Sequence, residues 1–353
     1  MVRDTMTEPA DTSSHVNRNE AVKDGPHCLV VSTATVSDAD ATSSVARPPD
    51  PQREHPVAHD HDYCRMDVRI AVCEEKRHFT LRTDSDALFY TGMALETFNI
   101  LVSTLEGHGS CAFTLPVRTQ VLMTLMKLKT NCTMGDLSRR FITPRSTAIK
   151  IISYWIDKLE EVLRPLILWL PKETIHATMP GAFKKDFPNT TCMVDFSESR
   201  LENPKHSDSH HTVKYQVAVA PCGLIMFISA AYGGRCSDKL ITEDSGILDY
   251  LTPRDEVMLV QGSSIKDLLL ERDVILVMPS FTENQRQLTE EQVTCKRKTT
   301  QVGVHVKRAI RRLKTYKILS QGVSVTMAPK INKILTICAA LVNLKEDLVR
   351  DSR

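Results

Sequence analysis

Thr191-Cys-Met-Val-Asp195, Val213-Lys-Tyr-Gln-Val-Ala-Val-Ala220, Leu224-Ile-Met-Phe-Ile-Ser229 and Glu256-Val-Met-Leu-Val260 are the segments on which the fold turns. Each is short, rich in β-branched and other apolar residues, and set between turn-forming residues, as strands are. Pro221-Cys-Gly223 separates the second from the third and predicts a hairpin. The fourth is continuously apolar, the composition of a strand covered on both faces. A polar stretch, read as helical, lies between the hairpin and that strand. Together they predict a mixed sheet in an α/β unit, and the first strand delivers an acid, Asp195, among apolar neighbours.

Outward from the sheet, the period changes. Val117, Val121, Leu122, Leu125 and Leu128 recur at helical spacing through Leu115–Thr130. Thr133 caps a short helix carrying Met134, Leu137 and Phe141. Thr143-Pro144 reads as an N-cap followed by proline at the first helical position. The third helix runs to about Leu163, with Ala148, Ile151, Ile152, Trp155, Ile156 and Leu159 as its inner stripe. Three helices with a short turn before the last are the geometry that sets a recognition helix in the major groove. Arg145, Ser146 and Lys150 fall on its exposed early positions, and Arg139 and Arg140 precede it to meet phosphates. A plain three-helix support domain has the same periodicity.

Residue matches run through both units in order. They include Phe89-Tyr-Thr-Gly92, Asp136-Leu-Ser-Arg-Arg-Phe141, Trp155-Ile-Asp157, Phe183-Lys-Lys-Asp-Phe187, Gly233-Gly-Arg235, Thr242-Glu243 and His305-Val306. On these, residues about 88–345 resemble the Harbinger-type (PIF-like) DDE transposase superfamily. The resemblance implies a helix-turn-helix ahead of an RNase H-like nuclease core. It also implies a separate Myb-like DNA-binding protein as a partner, alongside DNA itself. The turn before the third helix departs from the family, holding Ile142-Thr143-Pro144 where relatives often have a Gly-led turn.

The resemblance further implies two-metal chemistry, with three carboxylates holding two Mg²⁺ or Mn²⁺ ions about 4 Å apart. Hard divalent ions require oxygen ligands. Asp195 matches the first acid; the second and third positions hold Val260 and Lys307. Asp255 lies toward the opposite end of the strand, and Asp267 falls in the following helix. From Gln292 through Lys345 there is no Asp or Glu. A lysine also places positive charge where dications would bind. Glu198 and Glu202 read as surface acids in a loop. The expectation is therefore a degenerate nuclease centre that takes no cofactor, with the Lys307 ammonium near Asp195 lowering its pKa. Two alternatives stay open: a divergent but active metal-dependent endonuclease, or a transposon remnant without a selected role.

The chain has 353 residues and a net charge of only +2, so a DNA face must come from local clustering. Cys295–Lys317 supplies such a cluster, with nine Lys or Arg and no acid. Arg308, Arg311 and Arg312 share a helix face there by their spacing. The cluster reads as phosphate-contacting surface or nuclear import signal, and the expected location is the nucleus. Ten cysteines without a C-x-x-C pair read as reduced thiols. No apolar run reaches the roughly 20 residues a membrane helix needs. Residues 1–62 lack aromatics and read as a disordered tail. His55, His59, His61, Cys64, Cys73 and His78 lack the paired spacing of structural zinc sites and read as a polar linker. The expected organisation is tail 1–62, linker and lead-in helix 63–112, helix-turn-helix 113–170, RNase H-like domain 171–346 and tail 347–353.

Overall fold

The computed structural model describes residues 79–108, 113–202, 211–259, 265–278 and 290–345. The expected tail and the histidine-rich stretch lie outside the described residues.

Two helices, α1 (Asp84–Tyr90) and α2 (Leu95–Leu105), lead in. The expected tri-helical unit follows as α3 (Val117–Thr130), α4 (Met134–Arg140) and α5 (Arg145–Leu163). The Thr133 hydroxyl accepts from Asp136 N at 3.1 Å, the predicted cap of α4. The start of α5 differs from the sequence reading. Pro144 is itself the N-cap, with extended backbone (φ −57°, ψ 143°), and Arg145 opens the helix. Proline's fixed φ suits either position, and its ring carries no acceptor for the free N–H groups of the first turn.

Two short helices, α6 (Lys172–Thr178) and α7 (Gly181–Asp186), lead to the sheet, whose strands are β1 (Thr190–Glu202), β2 (His211–Val219), β3 (Ile225–Ile228), β4 (Tyr232–Gly233), β5 (Glu256–Leu259), β6 (Ile275–Val277) and β7 (Val323–Ser324). The order is β3-β2-β1-β5-β6, with β4 added to β2 and β7 to β1. β1, β2 and β3 run antiparallel, whereas β5 and β7 pair with β1 in parallel. The hairpin turns as read: Gly223 adopts φ 98° and its N–H reaches Ala220 O at 2.8 Å. Three antiparallel strands followed by a parallel crossover are the RNase H-like arrangement, so the fold expectation holds.

β1 is longer than its apolar segment. Beyond Asp195 its burial alternates, Ser197 and Ser199 inward and Glu198 and Arg200 outward. Glu198 and Glu202 therefore stand on a strand, which corrects the loop reading; both remain exposed.

The remaining helices are α8 (Asp238–Asp244), α9 (Lys266–Leu270), α10 (Glu290–Lys314), α11 (Lys317–Gln321) and α12 (Ile331–Asn343). α12 packs between α5 and β3, and one apolar cluster runs from the tri-helical unit into the sheet. Polar contacts reinforce the junction. Lys330 and Lys333 reach Asp157 of α5 at 2.6 and 2.7 Å. Asn343 Nδ2 donates to Leu166 O and Ile225 O, while its Oδ1 accepts from Ile225 N. Asn131 Nδ2 donates to Gly322 O; Gly322 sits at φ 129°, where a Cβ would fall 3.0 Å from Glu202 Cγ. Within the tri-helical core, the buried Trp155 indole donates to Gln120 Oε1 at 2.7 Å, and Gln120 Nε2 donates to Leu115 O at 2.6 Å. Among the described residues no single helix is long and apolar enough to cross a membrane.

Candidate nucleic-acid interface and the Asp195 site

Burial fixes which edge of the tri-helical unit is available. Ala148, Ile151, Ile152 and Trp155 turn α5 inward, so Arg145, Ser146, Ile149 and Lys150 face out from its first turns. Arg139 and Arg140 are exposed at the end of α4. Arg140 is partly engaged, its Nε 2.8 Å from Asp136 Oδ2. The linking turn is strained: Ile142 adopts φ 48°, a left-handed conformation unfavourable for a β-branched side chain. All five expected DNA contacts of this unit are thus exposed, two at the end of α4 and three on the first turns of α5.

Asp195 lies in the middle of β1, opposite Val217 of β2. Its carboxylate accepts from Phe196 N at 2.9 Å. Burial raises its pKa above the ordinary carboxylate range, outweighing the lowering by the Phe196 N–H, by Lys307 and by Lys314; the Asp238 charge adds to the rise. This reverses the expected direction. Lys307 is near enough for its charge to be felt, but it is exposed and forms no direct ion pair with Asp195. Its long stem lets the ammonium remain hydrated, a better state than a half-desolvated pair. Lys314, two turns further along α10, contributes a second positive charge that the sequence reading did not weigh.

Val260 lies outside the described residues. The β1–β5 register runs from Thr190 opposite Glu256 to Val194 opposite Leu259, so the described part of β5 stops one residue short of it. Asp255 sits at the other end of these strands and is committed there. It is buried, receives hydrogen bonds from Thr252 N and Thr191 Oγ1, and pairs with Lys172 at 2.7 Å. Burial pushes its carboxyl up, but Lys172, Thr252 and Thr191 together hold it below the ordinary range. A cavity of about 150 Å³ beside it is lined by Lys172, His176, Asn189 and Arg254 among others. Asp267 is exposed on α9. Among the described residues, no three His, Cys, Asp or Glu side chains cluster as a metal site.

The basic run falls largely on α10. Arg308 and Arg311 are exposed and Arg312 is half-buried, while Val306, Ala309 and Leu313 face the core. Sequence reasoning missed how this run continues. Lys129 and Lys345 place their ammonium groups 5.3 and 4.9 Å from the centroid of the buried Tyr316 ring. Burial, with Lys129 and Arg312 nearby, pulls the Lys345 pKa down to about 8. Nothing in the spacing of residues 129, 316 and 345 signals that they meet.

An exposed, basic helical edge thus joins an RNase H-like sheet that carries an acid, Asp195, in its first strand. Residues 195–343 match the family described as DDE superfamily endonuclease, the match beginning at Asp195. Residues 113–165 match the helix-turn-helix of DDE superfamily endonuclease. The chain carries this endonuclease domain and its helix-turn-helix. No curated protein and no solved structure matches it.

Proposed function

We propose that this is a transposase-derived, DNA-binding protein of the Harbinger (PIF-like) type whose nuclease centre is degenerate. The exposed edge built from Arg139, Arg145, Ser146 and Lys150 carries the binding half of this reading. α5 offers its first turns to base edges, and the arginines before it meet phosphates. Arg308 and Arg311 extend the phosphate-contacting surface on α10.

The surroundings of Asp195 support the loss of cleavage. DDE endonucleases generally work through divalent metals, and such a pair needs several ionised oxygens around it. The described residues about Asp195 bring two lysine charges and one further acid, Asp238, which pairs with Lys214 at 2.5 Å. Burial already disfavours the ionised form of Asp195. This donor set does not fit two dications. On this reading Val260 and Lys307 stand where the second and third acids would be. A domesticated protein of this kind would work in the nucleus, with DNA and a Myb-like partner.

The test is equilibrium binding to duplex DNA by fluorescence anisotropy. Arg145→Ala/Lys150→Ala should cost about 1–3 kcal/mol for each specific contact removed, and affinity should fall steeply with salt. Supercoiled plasmid with Mg²⁺ or Mn²⁺ should be nicked no faster by the protein than by its Asp195→Ala variant. Nicking abolished by that substitution would establish an active endonuclease instead.

A further inference from the structure

Resting on the DNA-reading edge proposed above, we propose that Ile149 reads thymine 5-methyl groups in the major groove, with Ile142 beside the same edge, so that the target duplex carries thymine where α5 enters.

Four observations point there. First, Ile149 is 42% exposed on a helix whose other isoleucines, Ile151, Ile152 and Ile156, are at most 1% exposed. Second, Arg145 and Ser146 precede it and Lys150 follows it, so it stands inside the charged edge rather than on a separate apolar face. Third, Ile142 is 45% exposed at φ 48°, where glycine would sit without strain. Keeping a β-branched side chain in that conformation costs stability and gains no burial, which points to a role for the side chain itself. Fourth, the backbone of this turn is tied down: Ile142 N reaches Arg139 O at 3.3 Å and Thr143 N reaches Ser138 O at 2.9 Å. Both isoleucines are therefore presented on a fixed frame.

The major groove offers one apolar group, the thymine 5-methyl, and residues near a recognition helix N-terminus are the ones that reach base edges. Phosphates and the other groove atoms reward the neighbouring Arg, Ser and Lys. Among the four standard bases, an aliphatic side chain at this place is matched by thymine alone.

The experiment uses the full chain. Duplexes selected from a random pool should show thymine within the contacted stretch. The selected duplex is then remade with uracil at each thymine in turn, which removes the methyl group alone. Wild type should bind about fourfold more weakly when a contacted methyl is lost. Ile149→Ala should bind the thymine and uracil duplexes equally, and Ile149→Leu should retain part of the preference. Ile142→Gly should fold more stably yet bind the selected duplex more weakly.

Equal binding of thymine and uracil duplexes by a wild type that still selects a sequence overturns this inference alone. So does a preference that survives in Ile149→Ala, or self-association that Ile149→Ala abolishes while DNA affinity stays unchanged. DNA binding indifferent to Arg145→Ala/Lys150→Ala overturns the reading edge and this inference together.

Discussion

Gln120→Leu should destabilise the whole described fold and not the tri-helical unit alone. Gln120 is 1% exposed and links two buried groups, accepting from the Trp155 indole and donating to Leu115 O. Leucine fills nearly the same volume but leaves that N–H and that carbonyl without partners. Each orphan costs about 1–3 kcal/mol, partly offset by the buried apolar side chain, so a net loss of about 2–4 kcal/mol is expected. Trp155→Phe added to Gln120→Leu removes the indole donor as well and should recover part of that loss. The chain has two tryptophans, Trp155 on α5 and Trp169 stacked 5.2 Å from Tyr250, so each unit carries its own reporter. In urea, followed by fluorescence in Trp155→Phe and Trp169→Phe backgrounds, both reporters should show one shared transition. In the Trp169→Phe background, where the indole bond is intact, Gln120→Leu should lower the midpoint by roughly 1 M. In that same background, amide hydrogen exchange of β1 and β2 that keeps its protection while the Trp155 transition moves would refute the single shared core. A loss below about 0.5 kcal/mol would refute the energetic role of the hydrogen-bonded pair.

Asp195→Asn keeps an acceptor for Phe196 N–H and removes a charge that burial disfavours. A carboxyl with a raised folded pKa loses stability as pH climbs from its unfolded value through its folded one. The variant should therefore have the higher urea midpoint at pH 7, converging on wild type below about pH 4; a lower midpoint at pH 7 would contradict the burial. Millimolar Mg²⁺ should shift neither midpoint, whereas stabilisation of wild type alone would place a metal at Asp195. For Lys345, with its folded pKa pulled down to about 8 from the ordinary 10.5, the folded state binds fewer protons than the unfolded chain in that window. Stability should accordingly rise with pH between those values, in reductant, and Lys345→Met should flatten the rise. An unchanged slope would mean that the ammonium is not desolvated.

What the sequence disclosed, and what it hid, follows from range. The helices of residues 117–163 and the hairpin about Gly223 were legible because 3.6- and 2-residue periods are local properties. The second half of β1 was not. Ser197 and Ser199 face inward, and small hydroxyls at core positions disguise the alternation as a polar loop. Pro144 was misplaced by one residue because its fixed φ serves a cap and a first turn alike. Lys307 does lower the Asp195 pKa as expected, but burial outweighs it, and burial is a property of everything packed around a site. Asp157 and Lys330 lie 173 positions apart, and no spacing rule connects them.

The place of α12 has a consequence for how the molecule is made. The inner side of α5 rests on a helix synthesised about 170 residues later, so during translation the tri-helical unit must wait with one wall missing. Any shortened product ending before Ile331 would retain every exposed side chain of α4 and α5 and still lack the support behind them. Such products would be sticky, protease-sensitive binders rather than smaller working copies. A tri-helical unit made early but completed last gives quality control a simple rule: only chains that reach α12 can cover the inner side of α5.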